Sequence, residues 1–457
     1  MDTSRERVMR AVGHRQPDRV PIDLGGHRSS GIMAIAYHKL KQHLGIESGD
    51  IYVYDFIQQL AIVEPEVLDR FGVDTIELGR GFALDPQDWH DWVLPDGTPC
   101  KIPAFICPVQ VDGDWHIYHE DGTLIAVQKE GCLYFEQTCF PLAESEGVSF
   151  DRLDAAFEKV MWAALGAPPA PIGYDLEGLA KLAAGARALR ASTDRAIIGL
   201  FGGNLLENSQ FLFGMANLFM LLASEPGRAH RLLDRLVEMH LENLQKFLSA
   251  VGPCIDIILF GDDLGMQTGP QISPRMYKEF LHPRYQLMWE TAKKLADVKV
   301  MLHSCGSLYS LLPHLIEAGL DIVQPVQTTA RDMEPERLKR EFGRDICLWG
   351  GGCDTQRVLA TGTPEEVAAD VRRRVRVLAP GGGFVFQQIH NIFTVNTVGG
   401  HFHHSPHCSI HDYKVSRRQG STRAKAVRGL PWHGESGAPT VLGSRTLPPL
   451  EAPHPGG

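Results

Sequence analysis

Apolar positions along this chain fall into two alternating textures: short, near-continuous runs rich in Val, Ile and Leu, and longer stretches with helical spacing. Val20–Leu24, Val73–Leu78, Ala196–Gly203, Ile255–Gly261, Val298–Leu302, Asp321–Val326, Ile346–Gly350 and Gly383–Ile389 read as buried strands. Helical spacing covers Ser4–Gly13, Ile32–Leu44, Asp55–Phe71, Leu153–Ala164, Leu176–Ala191, Leu205–Ala223, Pro226–Ala250, Pro274–Ala296, Leu308–Ala318 and Pro335–Phe342. A further helix starts at Thr363, a cap followed by proline at the first helical position.

About eight strands of this parallel type, all but the last followed by helix, predict an α/β fold, a (β/α)8 TIM barrel, over residues 1–392. A doubly wound open sheet is the alternative, weakened by the absence of a G-x-G-x-x-G after the first strand and of any G-x-x-x-x-G-K-[ST]. Between about residues 85 and 147 the texture changes to short runs rich in Trp, Tyr, Val and Ile, separated by D-G turns at Asp96, Asp112 and Asp121. That stretch predicts a small antiparallel β insertion, either a decorating subdomain or a lid. Residues 393–457 have no sustained period and read as a disordered tail. Its His401, His403, His404, His407 and Cys408 sit in a context that fixes no metal geometry.

In a barrel, the residues that interrupt each apolar run share one mouth at the carboxyl ends of the strands. These are Asp262 and Asp263, His303 and Cys305, Gln324, Cys353, and His390 with Asn391. His303 and Cys305, two apart on an extended chain, point to the same side, and Cys353 adds a third soft donor. A His/Cys/Cys set with one open position is the pattern of a catalytic zinc site. Asp262 or Asp263 is a fourth ligand, a general base, or a turn cap. His390 and Asn391 either bond a substrate oxygen or a corrin edge, or anchor a loop.

Charge and composition exclude more than they assign. The formal net charge of −10 argues against a polyanion partner such as nucleic acid, and no apolar run approaches bilayer length. No signal-peptide core follows the first residues, so a cytoplasmic address without membrane contact is expected. The nine cysteines are scattered and odd in number, which suits reduced thiols or metal binding better than disulfides.

The sequence resembles the uroporphyrinogen decarboxylase superfamily, and within it the zinc-dependent methyltransferase branch that works on methylated corrinoid proteins. P-D-R-V-P-I-D-L-G-G at 17–26, V-Y-D-F-I-Q-Q-L-A at Val53–Ala61, G-D-D-L-G at Gly261–Gly265 and I-S-P-R-M-Y-K-E-F at Ile272–Phe280 carry the resemblance. So do H-S-C-G at His303–Gly306, G-G-C-D-T at Gly351–Thr355, G-T-P-E-E-V at Gly362–Val367 and H-N-I at His390–Ile392. It implies a barrel whose zinc is held by His303, Cys305 and Cys353, with catalytic roles for Asp262, Asp263 and His390. Arg28, Gln324 and Asn391 then fall to substrate binding. The zinc activates a small thiol to take a methyl group from a corrinoid, or activates a methylated substrate toward reduced cobalt. No D-x-H-x-x-G cobalt-binding module lies in this chain, so a separate corrinoid protein is the expected partner. Decarboxylation of a tetrapyrrole is the runner-up. It needs several amino-terminal arginines for a polycarboxylate, and here G-G-H-R-S-S-G offers Arg28 alone. A barrel kept as a non-enzymatic corrinoid-binding module is the third reading. Relatives follow H-N-I with a polar loop and a final helix, from which this chain departs after Ile392.

Overall fold

The computed structural model describes residues 1–144, 150–394 and 412–413 of the 457-residue chain. Seven parallel strands form one sheet. In spatial order they are Phe384–Val385, Cys347–Trp349, Ile322–Gln324, Lys299–His303, Ile257–Gly261, Ala196–Gly202 and Thr75–Glu77. The segment around Ile22 joins the two edges. Phe386 N–H donates to the Pro21 carbonyl at 2.9 Å and Asp23 N–H to Phe386 at 2.8 Å, while Asp74 N–H donates to Ile22 at 2.8 Å. The sheet thereby closes on itself, and the expected α/β barrel is present.

Alternation along each strand sorts the side chains to two sides. Ile198, Ile257, Leu259, Met301, Ile322, Cys347 and Val385 fill the interior together with Val8, Ala11 and Val12 of the first helix, Ser4–Val12. Their neighbours Ile258, Val300, Leu302, Val323 and Leu348 belong to a second core shared with the helices Leu176–Ser192, Pro226–Val251 and His282–Leu295. Register then places the chemistry: Gly261 pairs with His303, and His303 with Gln324, so that these strand ends stand in one row.

The insertion is antiparallel. Trp89–Val93 pairs with Pro99–Pro103, and Val109–Val111, Asp114–Tyr118, Leu124–Gln128 and Glu136–Gln137 form a four-stranded sheet. Gly97, Gly113 and Gly122 take φ of 84°, 94° and 85°, the left-handed backbone that the D-G turns require.

Several predicted helices are corrected. Asp55–Phe71 is not one helix but the strand pair Val53–Asp55 and Leu60–Ala61 followed by a short helix, Pro65–Arg70. Asp55 accepts the Gln58 N–H at 3.0 Å and closes a turn, and Phe56, Ile57, Leu60, Ala61 and Val63 are all buried. A segment buried on every side carries no helical stripe to read. Leu205–Ala223 breaks at Gly214, whose φ of 77° separates the helices Leu206–Phe213 and Met215–Ser224. Leu153–Ala164 is likewise two short helices, Leu153–Phe157 and Met161–Ala164, and Leu308–Ala318 shortens to Leu312–Glu317. At the end of the barrel Phe393–Thr394 pairs in parallel with Asp412–Tyr413. The rest of the tail, with His401, His403, His404, His407 and Cys408, lies outside the described residues. Among the described residues no helix is long and apolar enough to cross a membrane.

Candidate metal centre

The strand Lys299–His303 ends in a tight turn, H-S-C-G, held from four sides. Ser304 N–H continues the ladder to the Gln324 carbonyl at 2.7 Å, and Ser304 Oγ accepts the Leu264 N–H at 2.8 Å. Cys305 N–H donates to Asp263 Oδ1 at 2.7 Å, and Gly306 N–H to Gln327 Oε1 at 2.6 Å. Gly306 has φ 86°, and a Cβ there would stand 2.4 Å from the Gly265 backbone, so the turn needs glycine for both conformation and space.

This turn brings the His303 and Cys305 donors together with His390, in the loop that follows the strand Phe384–Val385. One ligand atom from each of the three lies within 4.8 Å of the others. His303 Nε2 stands 3.7 Å from Cys305 Sγ and 3.7 Å from Asp263 Oδ1. The tautomer follows from the network behind it. Gln324 Nε2 donates to Gln387 Oε1 at 3.0 Å, which turns Gln324 Oε1 toward His303 Nδ1 at 2.6 Å. Nδ1 therefore carries the proton, and the Nε2 lone pair faces the thiol. Burial pushes the His303 pKa down to about 4, so the imidazole is neutral at physiological pH. A neutral imidazole with an oriented lone pair, a buried thiol and a second imidazole match what a zinc ion takes. Removing the Gln324 amide, as in Gln324→Leu, is expected to weaken zinc affinity by about 10–100-fold, read by competition with a chromogenic chelator. An affinity equal to wild type would show that the amide does not orient His303.

Cys353 is not in this group. Its thiol meets the Asp354 carbonyl at 3.9 Å, and burial together with the Asp370 charge raises its pKa to about 12. The side chain thus lies against the Asp370–Arg374 ion pair, whose closest N–O distance is 2.7 Å. Asp262 is also engaged elsewhere. Its carboxylate accepts the N–H groups of Leu205, Leu206 and Glu207 at 2.8, 2.7 and 2.7 Å, and the Tyr285 hydroxyl as well. Of the three roles open to it, these bonds fit the cap, and the helix capped, Leu206–Phe213, comes much earlier in the chain. Asp263 is the carboxyl that reaches the donors, and burial raises its pKa to about 7.

Arg28 binds Asp55 through Nε at 2.8 Å and Nη2 at 2.5 Å, and its guanidinium lies 4.8 Å from the Trp162 ring centre. Asn391 is fully buried, accepting from Gly31 N–H at 2.8 Å and donating to Gln58 Oε1 at 2.9 Å, a loop anchor. Two neighbours of the group escaped the sequence reading. Ser29 Oγ lies 3.5 Å from His303 Nε2, carried by a loop that Asp23 organises by accepting from Gly26 N–H, Ser30 Oγ, Thr75 Oγ1 and Trp349 Nε1. Glu207, in the first turn of its helix, is pushed well above the usual carboxyl range by burial and by the charges of Asp263 and Asp262. Neither residue interrupts a strand, which is the signal the strand-end reading uses.

Residues 170–397, a span holding His303, Cys305, His390 and Cys353, match the model of the uroporphyrinogen decarboxylase (URO-D) family. The chain carries a URO-D family domain. Arg28 and the insertion fall outside the matched span of that URO-D domain. Among solved structures the fold is similar to a methyltransferase from Methanosarcina mazei, with a TM-score of 0.50 and 13% identity, covering 85% of this chain and 93% of that one. No curated protein matches the sequence.

Proposed function

We propose that this URO-D domain protein is a zinc-dependent methyltransferase, moving a methyl group between a separate corrinoid protein and a small thiol or methylated substrate. The observation that carries the reading is the convergence of His303, Cys305 and His390. Bound there, zinc would supply a Lewis acid that favours a substrate thiolate at neutral pH or polarises a methylated substrate. The chain's own contribution is orientation and proton handling. Gln324 fixes the His303 tautomer, Asp263 beside the donors accepts the proton a substrate thiol gives up, and the buried setting limits water. His303 and Cys305 are two ligands of this site. His390 is the third by position, and Cys353 the third by resemblance to the zinc branch. Comparing zinc retained by His390→Ala and Cys353→Ser decides between them.

Uroporphyrinogen-type decarboxylation is the second reading, favoured by the name of the matching family. It is weakened at Arg28, because the arginine available for substrate carboxylates is already neutralised by buried Asp55. Two assays on the same preparation separate them. Methylcobalamin with a thiol acceptor should show methyl transfer that is lost with a zinc chelator, and uroporphyrinogen should be left intact. Metal-independent decarboxylation would reverse the conclusion.

A further inference from the structure

At the carboxyl end of the strand Thr75–Glu77, on the same barrel face as His303, Glu77 is 1% exposed, neither carboxyl oxygen makes a hydrogen bond of good geometry, and the Tyr54 hydroxyl is the side-chain donor that approaches it. A buried carboxyl without well-formed hydrogen bonds is costly, and such groups are rare in folded proteins. It lines a small, partly open cavity of about 10 Å³ with Tyr54, Arg80, Phe82, Trp89 and Ile62. Arg80 Nε, a donor on the same wall, has no hydrogen-bond partner. A space of that size admits one water-sized group.

The chemistry of the walls selects the occupant. Arg28 is paired with Asp55, and Glu77, raised to about 7 by burial, faces Arg80, so the cluster offers a donor and an acceptor side by side rather than one sign of charge. The carboxyl offers acceptors and Arg80 Nε a donor, while Trp89, Phe82 and Ile62 supply apolar surface. A hydroxyl group on a carbon skeleton satisfies all of these at once, donating to Glu77 and accepting from Arg80 Nε. Arg28 connects this cavity to the donor group, since its charge acts on both Glu77 and His303.

We propose that the Glu77 cavity is a subsite for the hydroxyl group of a small neutral alcohol. Its assignment to the methyl donor or acceptor rests on the methyl-transfer reading; the binding itself does not.

The test uses the full-length protein and ¹⁹F relaxation titrations with 2,2,2-trifluoroethanol and its methyl ether, which lacks the donor. Wild type should bind the alcohol at least about tenfold more tightly than the ether, the worth of one charge-assisted hydrogen bond. Glu77→Leu should abolish that preference and Tyr54→Phe reduce it, with zinc content unchanged in both. Should Glu77→Leu fail to fold, Tyr54→Phe, which keeps the ring, carries the comparison. Equal affinity for alcohol and ether, or a preference retained in the folded variants, overturns the subsite in favour of a buried water. Zinc loss in either variant also overturns it, by tying the cavity to the metal donors. A preference in wild-type protein that binds no zinc even when zinc is supplied supports the subsite and removes the methyl-transfer reading instead.

Discussion

Cys305→Ser is expected to lower the zinc retained by the folded chain from about one equivalent to under about one tenth after dialysis against a mild chelator, because a hydroxyl is a far poorer zinc donor than a thiolate. Methyl transfer should fall by at least about 100-fold alongside. The fold should hardly notice. Serine is close to isosteric, and what ties this turn to its neighbours is the Cys305 backbone N–H on Asp263, which the substitution keeps. The melting temperature of the zinc-free protein is therefore the control, and it should match wild type. Zinc retained in full by Cys305→Ser would show that His303 and His390 do not share their ion with this thiol.

The second large effect is on stability. Asp262→Ala should cost on the order of 3–5 kcal/mol, since it strands buried donors that now share one carboxylate. The residue is fully buried, and the amides of Leu205, Leu206 and Glu207 with the Tyr285 hydroxyl all converge on it. The amides belong to a helix start, where anionic charge is favoured, so the variant loses that interaction as well. A loss of this size is a large fraction of the total stability of a typical domain. It should appear as a markedly lower melting temperature, and Asp262→Asn, which keeps one acceptor oxygen, should fall between the two. A melting temperature equal to wild type for the alanine variant would mean that this cap is not what seats Leu206–Phe213.

The contrast between these adjacent aspartates shows where sequence reading reaches and where it stops. Strand ends were legible because an apolar run ending in His303 or Gln324 reports burial and direction locally, and parallel register then carries the two to one face, where the loop after the last strand brings His390. Which carboxyl of G-D-D-L-G turns toward the site is decided by a helix start some sixty residues earlier, a long-range choice with no local signature. The placement of Cys353 is likewise set by its loop. Its loop runs through Gly350 and Gly351, with φ of 90° and 73°, and the backbone path there aims the thiol toward Asp354 and Asp370. Asn391 read equally well as a substrate contact or as an anchor, and its bonds to Gly31 and Gln58, which fit the anchor, have no local signature. Glu77 sits inside the apolar run Val73–Leu78, where nothing local marks it. Its burial beside Tyr54 and Arg80 is a property of the assembled mouth. The barrel itself was readable throughout, apart from segments such as 55–71, where burial on all sides erases the period.

Metal content of the folded, full-length chain tests the central claim most directly. Mass spectrometry of protein purified without added metal should find about one zinc per chain, removable with chelator and restored together with methyl transfer from methylcobalamin to a thiol. Folded protein that performs its chemistry with no bound metal, and binds none when zinc is supplied, would contradict the account.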